Sequence, residues 1–153
     1  MNLVSALNAE TGTTCVVGAG GKKTTLAALA ARLDRAVVTA TVRIPIFDDW
    51  VERVVVTDDP VGVGRERLPA DGSQSGGPAA GMWPLGLVPE RERDDRHRGY
   101  DTSVVDALGE LDVPVLVKAD GARMRRFKAP ADEEPQVPRT ADTVVSIASV
   151  HVV

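Results

Sequence analysis

Gly18-Ala19-Gly20-Gly21-Lys22-Lys23-Thr24-Thr25 combines three glycines with two lysines and two threonines where a strand gives way to a helix. An apolar, β-prone run from Thr13 to Val17 precedes it, and Leu26-Ala27-Ala28-Leu29-Ala30-Ala31-Arg32-Leu33, which reads as helix, follows. A strand, a glycine-rich turn and a Lys-Thr pair opening a helix form the layout of a phosphate-binding P-loop. Glycines let successive backbone N–H groups curl around a phosphate, and the helix N-terminus adds the positive end of its dipole. A lysine then reaches the outer phosphates, and a threonine hydroxyl ligates Mg²⁺.

The strict pattern places Gly, four residues, then Gly-Lys-Ser/Thr. With Lys22 as the phosphate lysine, Gly21 fits, Val16 stands where the first glycine belongs, and Lys23 replaces the hydroxyl. With Lys23, Thr24 follows correctly but Lys22 replaces the glycine. The second register keeps both cation and metal ligand, and is preferred on sequence. A plain glycine-rich turn is the competing reading. Against it, two lysines in a first helical turn oppose the helix dipole and call for a negative partner.

Farther out, strand-like and helix-like runs alternate. Leu3 to Leu7 precedes a strand over about 14–17; a helix runs to about Leu33, and strands are expected over 36–41 and 53–57. Asp58-Asp59-Pro60 reads as a turn. Residues 60–99, rich in Gly, Pro and charge, are expected to form mostly a long loop with a short apolar anchor at Trp83-Pro84-Leu85-Gly86-Leu87-Val88. A helix over 102–111 and strands over 113–117 and 143–150 complete the pattern. Such alternation predicts an α/β, P-loop NTPase-like fold: a mainly parallel sheet flanked by helices, with ligand at the carboxyl ends of the strands.

The second informative stretch is Pro114-Val115-Leu116-Val117-Lys118-Ala119-Asp120-Gly121-Ala122-Arg123. Four apolar residues make a buried strand and Asp120 emerges just past its end, as a Walker B carboxylate does when it holds Mg²⁺. Downstream, Arg123 to Lys128 form a basic cluster suited to oxyanions, or a solvated loop balanced by Asp132-Glu133-Glu134. Thr39 and Thr41, at a strand end, are candidates for sensing the nucleotide.

Composition narrows the class. The 153 residues, 43% of them hydrophobic, suffice for one domain with a real core. A net charge of −4 and a pI near 5.2 carry no general nucleic-acid footprint. No apolar run approaches the length of a membrane span and no basic-then-apolar leader opens the sequence, so a cytoplasmic protein is expected. The lone Cys15 excludes an internal disulfide; it reads as a small buried hydrophobe. His97 and His151 lack ligand-like spacing. Only Lys22, Lys23, Lys118 and Lys128 are lysines, against fourteen arginines, and all four fall in stretches singled out on other grounds.

Gly18-Ala19-Gly20-Gly21-Lys22, Thr39-Ala40-Thr41, Ala119-Asp120-Gly121-Ala122-Arg123, and Lys128-Ala129-Pro130 with Glu134-Pro135 and Pro138 together resemble the YqeC family. Its members are described as selenium cofactor biosynthesis or selenium-dependent hydroxylase accessory proteins. The resemblance runs in order from Val16 to about Val150. It implies a P-loop NTPase-like fold and a role in maturing selenium-dependent molybdenum hydroxylases. Three departures stand out: the extra lysine in the glycine turn, Lys118 where the family typically has Glu, and an end at Val153 where members continue. The last suggests a single domain over 1–153 shortened at its C-terminus.

The combined expectation is an Mg²⁺–NTP-binding accessory protein. Gly18 to Thr25 would hold ATP or GTP, Lys23 (or Lys22) and Asp120 would carry catalysis, and Thr24 and Asp120 would place Mg²⁺. Arg123 and Lys128 would contact phosphate or a second substrate. A molybdenum hydroxylase or a selenium-delivery protein is the expected partner, with no nucleic acid and no membrane. A small-molecule kinase and a non-hydrolysing nucleotide-binding scaffold are the alternatives. A dinucleotide-binding Rossmann domain is disfavoured, because Lys23 occupies the third glycine position of Gly-x-Gly-x-x-Gly.

Overall fold

Neighbouring residues along each central strand part to opposite sides, and this builds a three-layer molecule. Val16, Val38, Val88 and Leu116 enter one apolar cluster with Leu26, Leu29, Ile44 and Phe47. Cys15, Val37, Leu87 and Val117 enter another with Tyr100, Val105 and Leu108. Strands buried on both faces read as near-continuous apolar runs, as parallel strands under helices do. The computed structural model describes residues 2–68, 83–120 and 136–148.

In chain order the elements are α1 (Leu3–Ala6), β1 (Thr13–Ala19), α2 (Lys22–Ala31), β2 (Val37–Ala40), β3 (Ile44–Pro45), a 3₁₀ turn (Asp48–Trp50), β4 (Arg53–Val56) and α3 (Pro60–Arg67). There follow β5 (Leu85–Val88), β6 (Arg91–Arg93), β7 (Arg96–His97), α4 (Thr102–Leu108), β8 (Val115–Lys118) and β9 (Thr143–Ala148). Six strands form the main sheet in the order β4-β5-β2-β8-β1-β9, every pairing parallel. β3, β7 and β6 make a small antiparallel sheet beside it. The α/β class and the mainly parallel sheet flanked by helices are as expected from sequence.

The chain leaves β1 toward β2 and leaves β8 toward β9, so the two neighbouring strands send their connections to opposite sides. Such a divergence opens a crevice at the carboxyl ends of an α/β sheet. Gly18 and Asp120 sit there.

The expected loop over 60–99 is corrected in its described parts, residues 69–82 lying outside them. Residues 60–67 are helical, 85–88 form a strand inside the main sheet, and 91–97 hold two short strands. Asp58-Asp59-Pro60 is a helix start rather than a simple turn: the Asp59 carboxylate accepts the Gly62 N–H at 3.0 Å, with Pro60 opening the helix. Gly62 and Gly64 obscure this helix in the sequence, yet Val61 and Val63 pack against the second cluster. β5 pairs with both β4 and β2. Its Gly86 interrupts the apolar run because the Phe47 ring lies over it; an added Cβ would come 2.6 Å from Phe47 Cε2.

β9 is tied at its start by carboxylates. Asp142 Oδ2 accepts the Thr13 N–H at 2.8 Å, and Asp106 Oδ1 accepts the Thr140 N–H at 2.9 Å and its hydroxyl at 2.8 Å. No described helix is long and apolar enough to cross a membrane.

His97 is buried beneath the small sheet, edge-on to Phe47 with ring centroids 5.8 Å apart. Burial lowers its pKa; Asp48 and the Glu90 backbone act in the opposite direction, and Arg91 reinforces the fall. Burial thus favours the neutral imidazole in the native chain, while the unfolded chain takes up a proton once pH drops through about 6.5. Stability from this site is complete above that pH and lost below it. Urea unfolding at about pH 7.5 and pH 5.5 should show an acid-side loss that shrinks in His97→Gln; an equal loss in both proteins would contradict it.

Candidate functional site

Gly18 carries the site. Its φ of 104° lies in the region that favours glycine, and its backbone runs so close to β9 that an added Cβ would stand 2.0 Å from the Ile147 carbonyl oxygen. The Gly18 N–H donates to Asp120 Oδ2 at 3.0 Å. The Gly18 carbonyl accepts a hydrogen bond from Lys22 Nζ. One residue therefore links the carboxylate past the end of β8 to a cation in the first turn of α2.

The turn itself is tight. β1 continues to Ala19, pairing with β9 through Ala148, and α2 begins at Lys22. Only Gly20 and Gly21 lie between, with φ of 83° and 75°. Gly21 is the N-cap and offers no side-chain acceptor to the first turn of α2, which also contains no acidic residue. The positive dipole end meets two lysines there, an arrangement complementary to an anion.

The adjacent lysines have different surroundings. Lys22 is 4% exposed and folds back over the turn; Lys23 and Thr24 are exposed, and Thr25 is partly buried. Lys23, Thr24 and Ala27 of α2 line an open groove of about 440 Å³ with Pro45, Ile46 and Trp50. The strand-end position expected for Asp120 is observed, and neighbouring strands bring it to the glycine turn. Arg123 and Lys128, the basic cluster around them and His151 lie outside the described residues.

Thr39 and Thr41 are engaged within the protein. The Thr39 hydroxyl donates to the Leu87 carbonyl at 2.7 Å and that of Thr41 to the Gln136 carbonyl at 2.6 Å. Gln136 in turn donates its N–H to Ala119 O at 2.8 Å, fastening the strand-end residues together just behind Asp120. Lys118 is 7% exposed and its Nζ donates to the Arg43 carbonyl at 2.8 Å. This lysine, unusual on sequence, pins the segment after β2 to β8. Cys15 is fully buried; burial, assisted by Asp106, raises its thiol pKa to about 12, so it is an inert core residue.

Sequence reasoning missed Trp50, Pro45 and Ile46. They sit in a stretch without a motif, and only packing against α2 brings them beside Lys23. The one available signal was Trp50 itself, an aromatic in a chain with 3% aromatic residues.

The residues present fit a Mg²⁺–phosphate ligand. Among the described residues no group of three or more His, Cys, Asp or Glu could form an all-protein metal cage. A carboxylate past a strand end and a hydroxyl in a first helical turn are donor types that suit Mg²⁺, which takes one or two protein ligands and completes its shell from substrate phosphates and water.

No curated protein and no solved structure matches the chain. One family model does, described as YqeC protein, over residues 14–153. That span covers the sheet from β1 to β9 and both halves of the glycine–aspartate site, and the chain belongs to the YqeC family.

Proposed function

We propose that the chain is a nucleotide-binding accessory protein that takes ATP or GTP with Mg²⁺ at the glycine turn, and serves the insertion of selenium in the maturation of molybdenum hydroxylases. The observation that carries the nucleotide reading is Gly18, hydrogen-bonded on one side to Asp120 and on the other to Lys22. The pathway rests on family membership.

Lys22 is assigned the phosphate role in preference to Lys23. Its stem is already buried and its ammonium lies over the turn, so exchanging the Gly18 carbonyl for a phosphate oxygen requires only a small movement. Backbone N–H groups of Gly20, Gly21 and the start of α2 would face the phosphates, and Thr24 and Asp120 would hold Mg²⁺, which would neutralise charge on the outer phosphates. A molybdenum hydroxylase or a selenium-delivery protein is the partner, coupled to nucleotide turnover or to its bound state.

Calorimetric titration with ATP and GTP, with and without Mg²⁺, tests this reading in the full chain and in Asp120→Asn. Magnesium should tighten binding to the native chain and do so much less in the variant, which keeps the acceptor for Gly18 but loses the charge. A folded native chain that binds neither nucleotide refutes the reading.

A further inference from the structure

The doubled lysine leaves one cation outside the phosphate site. Lys22 is turned onto Gly18, whereas Lys23 is exposed on the face of α2 that borders the groove. Across that groove stands Trp50, partly exposed and held in place on its inner side. Its ring packs against Phe47 at 5.7 Å between centroids and 44° between planes; Phe47 is 1% exposed. The Trp50 backbone N–H donates to the Phe47 carbonyl at 2.9 Å. A tryptophan fixed on one side and open on the other is a preformed stacking surface, with little ordering left to do on binding.

The remaining lining agrees with a flat guest that carries one anionic group. Pro45, Ile46 and Ala27 supply apolar walls, and Lys23 is the only charge among the six lining residues. Asp48 and Asp49, exposed on the turn that carries Trp50, are not part of the lining. A volume of about 440 Å³ falls in the range of small-molecule sites. Neither the glycine turn nor Asp120 borders this space.

We infer that this groove is a second binding site, for a planar heteroaromatic compound carrying one anionic group, of the chemical kind of a nucleoside monophosphate. The ring stacks on Trp50 and the anion pairs with Lys23. Two lysines in succession thus serve two ligands, one on each side of the start of α2. Its reading as the second-substrate site rests on the nucleotide reading above; its binding chemistry does not.

The test uses fluorotryptophan-labelled full chain and fluorine NMR. The two tryptophans, Trp50 and Trp83, give two resonances, assigned with Trp50→Phe. GMP and AMP are titrated in the presence of a saturating non-hydrolysable ATP analogue and Mg²⁺, with analogue binding measured separately by calorimetry. The Trp50 resonance should shift while that of Trp83, 8% exposed in the second cluster, stays. Guanosine and ribose 5-phosphate, each lacking half of the recognised chemistry, should bind at least about tenfold more weakly, as should GMP to Lys23→Ala.

A Trp50 resonance unmoved by both mononucleotides overturns the inference. So does a response that the ATP analogue abolishes, or one that survives Lys23→Ala at full affinity. If calorimetry shows no analogue binding while GMP titrates Trp50 through Lys23, the groove stands and the nucleotide reading falls. Lys23 is exposed, so its removal leaves the fold intact, and an unchanged melting temperature verifies that.

Discussion

Replacing Gly18 with alanine is expected to destabilise the fold by about 3 kcal/mol. Two costs combine. At a φ of 104° an L-residue is strained, and its Cβ would stand 2.0 Å from Ile147 O and 2.9 Å from Ile147 N. Those atoms belong to the β9 backbone, which pairs with β1 at this position, so no flexible side chain can yield. Relief requires β9 to move from β1, which also displaces the N–H that donates to Asp120. Thermal unfolding should fall by roughly 6–12 °C for a chain of this size. Thr24→Ala, at an exposed position on the adjoining helix, should stay within about 0.5 kcal/mol of the native chain. A melting temperature equal to the native one in Gly18→Ala would show that β9 does not approach β1 this closely.

Replacing Lys22 with methionine should weaken Mg²⁺–nucleotide binding by about 100-fold, whereas Lys23→Met should change it by less than about threefold. Methionine retains most of the buried stem, so the comparison isolates the ammonium. A hydrogen bond to a charged group contributes roughly 1.5–3 kcal/mol, and about 2.7 kcal/mol corresponds to 100-fold. The asymmetry follows from position: Lys22 is buried over the glycine turn, and Lys23 faces the groove. Calorimetry on both variants, with melting curves to verify folding, decides the matter. Loss of binding in Lys23→Met with Lys22→Met intact would reverse the assignment and return Lys23-Thr24 to the phosphate role that the sequence motif favours.

Lys118 shows how a residue that looks functional in sequence can acquire a different role in three dimensions. Next to a strand-end aspartate, a base in place of an acid raises the question of proton chemistry. In the fold it crosses to the Arg43 carbonyl, on the segment leading into β3. The exchange places a structural tie between β8 and the wall that carries Pro45 and Trp50. Thr39 and Thr41 follow the same pattern, their hydroxyls donating to main-chain carbonyls within the sheet region.

What the sequence alone determined was local. Apolar β-prone runs specified β1, β2, β4, β8 and β9, the glycine turn and Asp120 were legible at strand ends, and the family blocks set the relationship, because each depends on a few contiguous residues. Tertiary structure decided the rest. Leu85-Gly86-Leu87-Val88 became an inner strand because β4 and β2 flank it and Phe47 covers its glycine. Pro60–Arg67, poor in helix formers, is a helix because Asp59 caps it and a neighbouring core receives its valines. The strand order that inserts β8 between β2 and β1 brings Asp120 to Gly18, some hundred residues apart, as no local signal could. The same holds for the two lysines: identical side chains at consecutive helical positions project about 100° apart around the axis, and only the packed surroundings make one a buried cation over the turn and the other the charged edge of a groove.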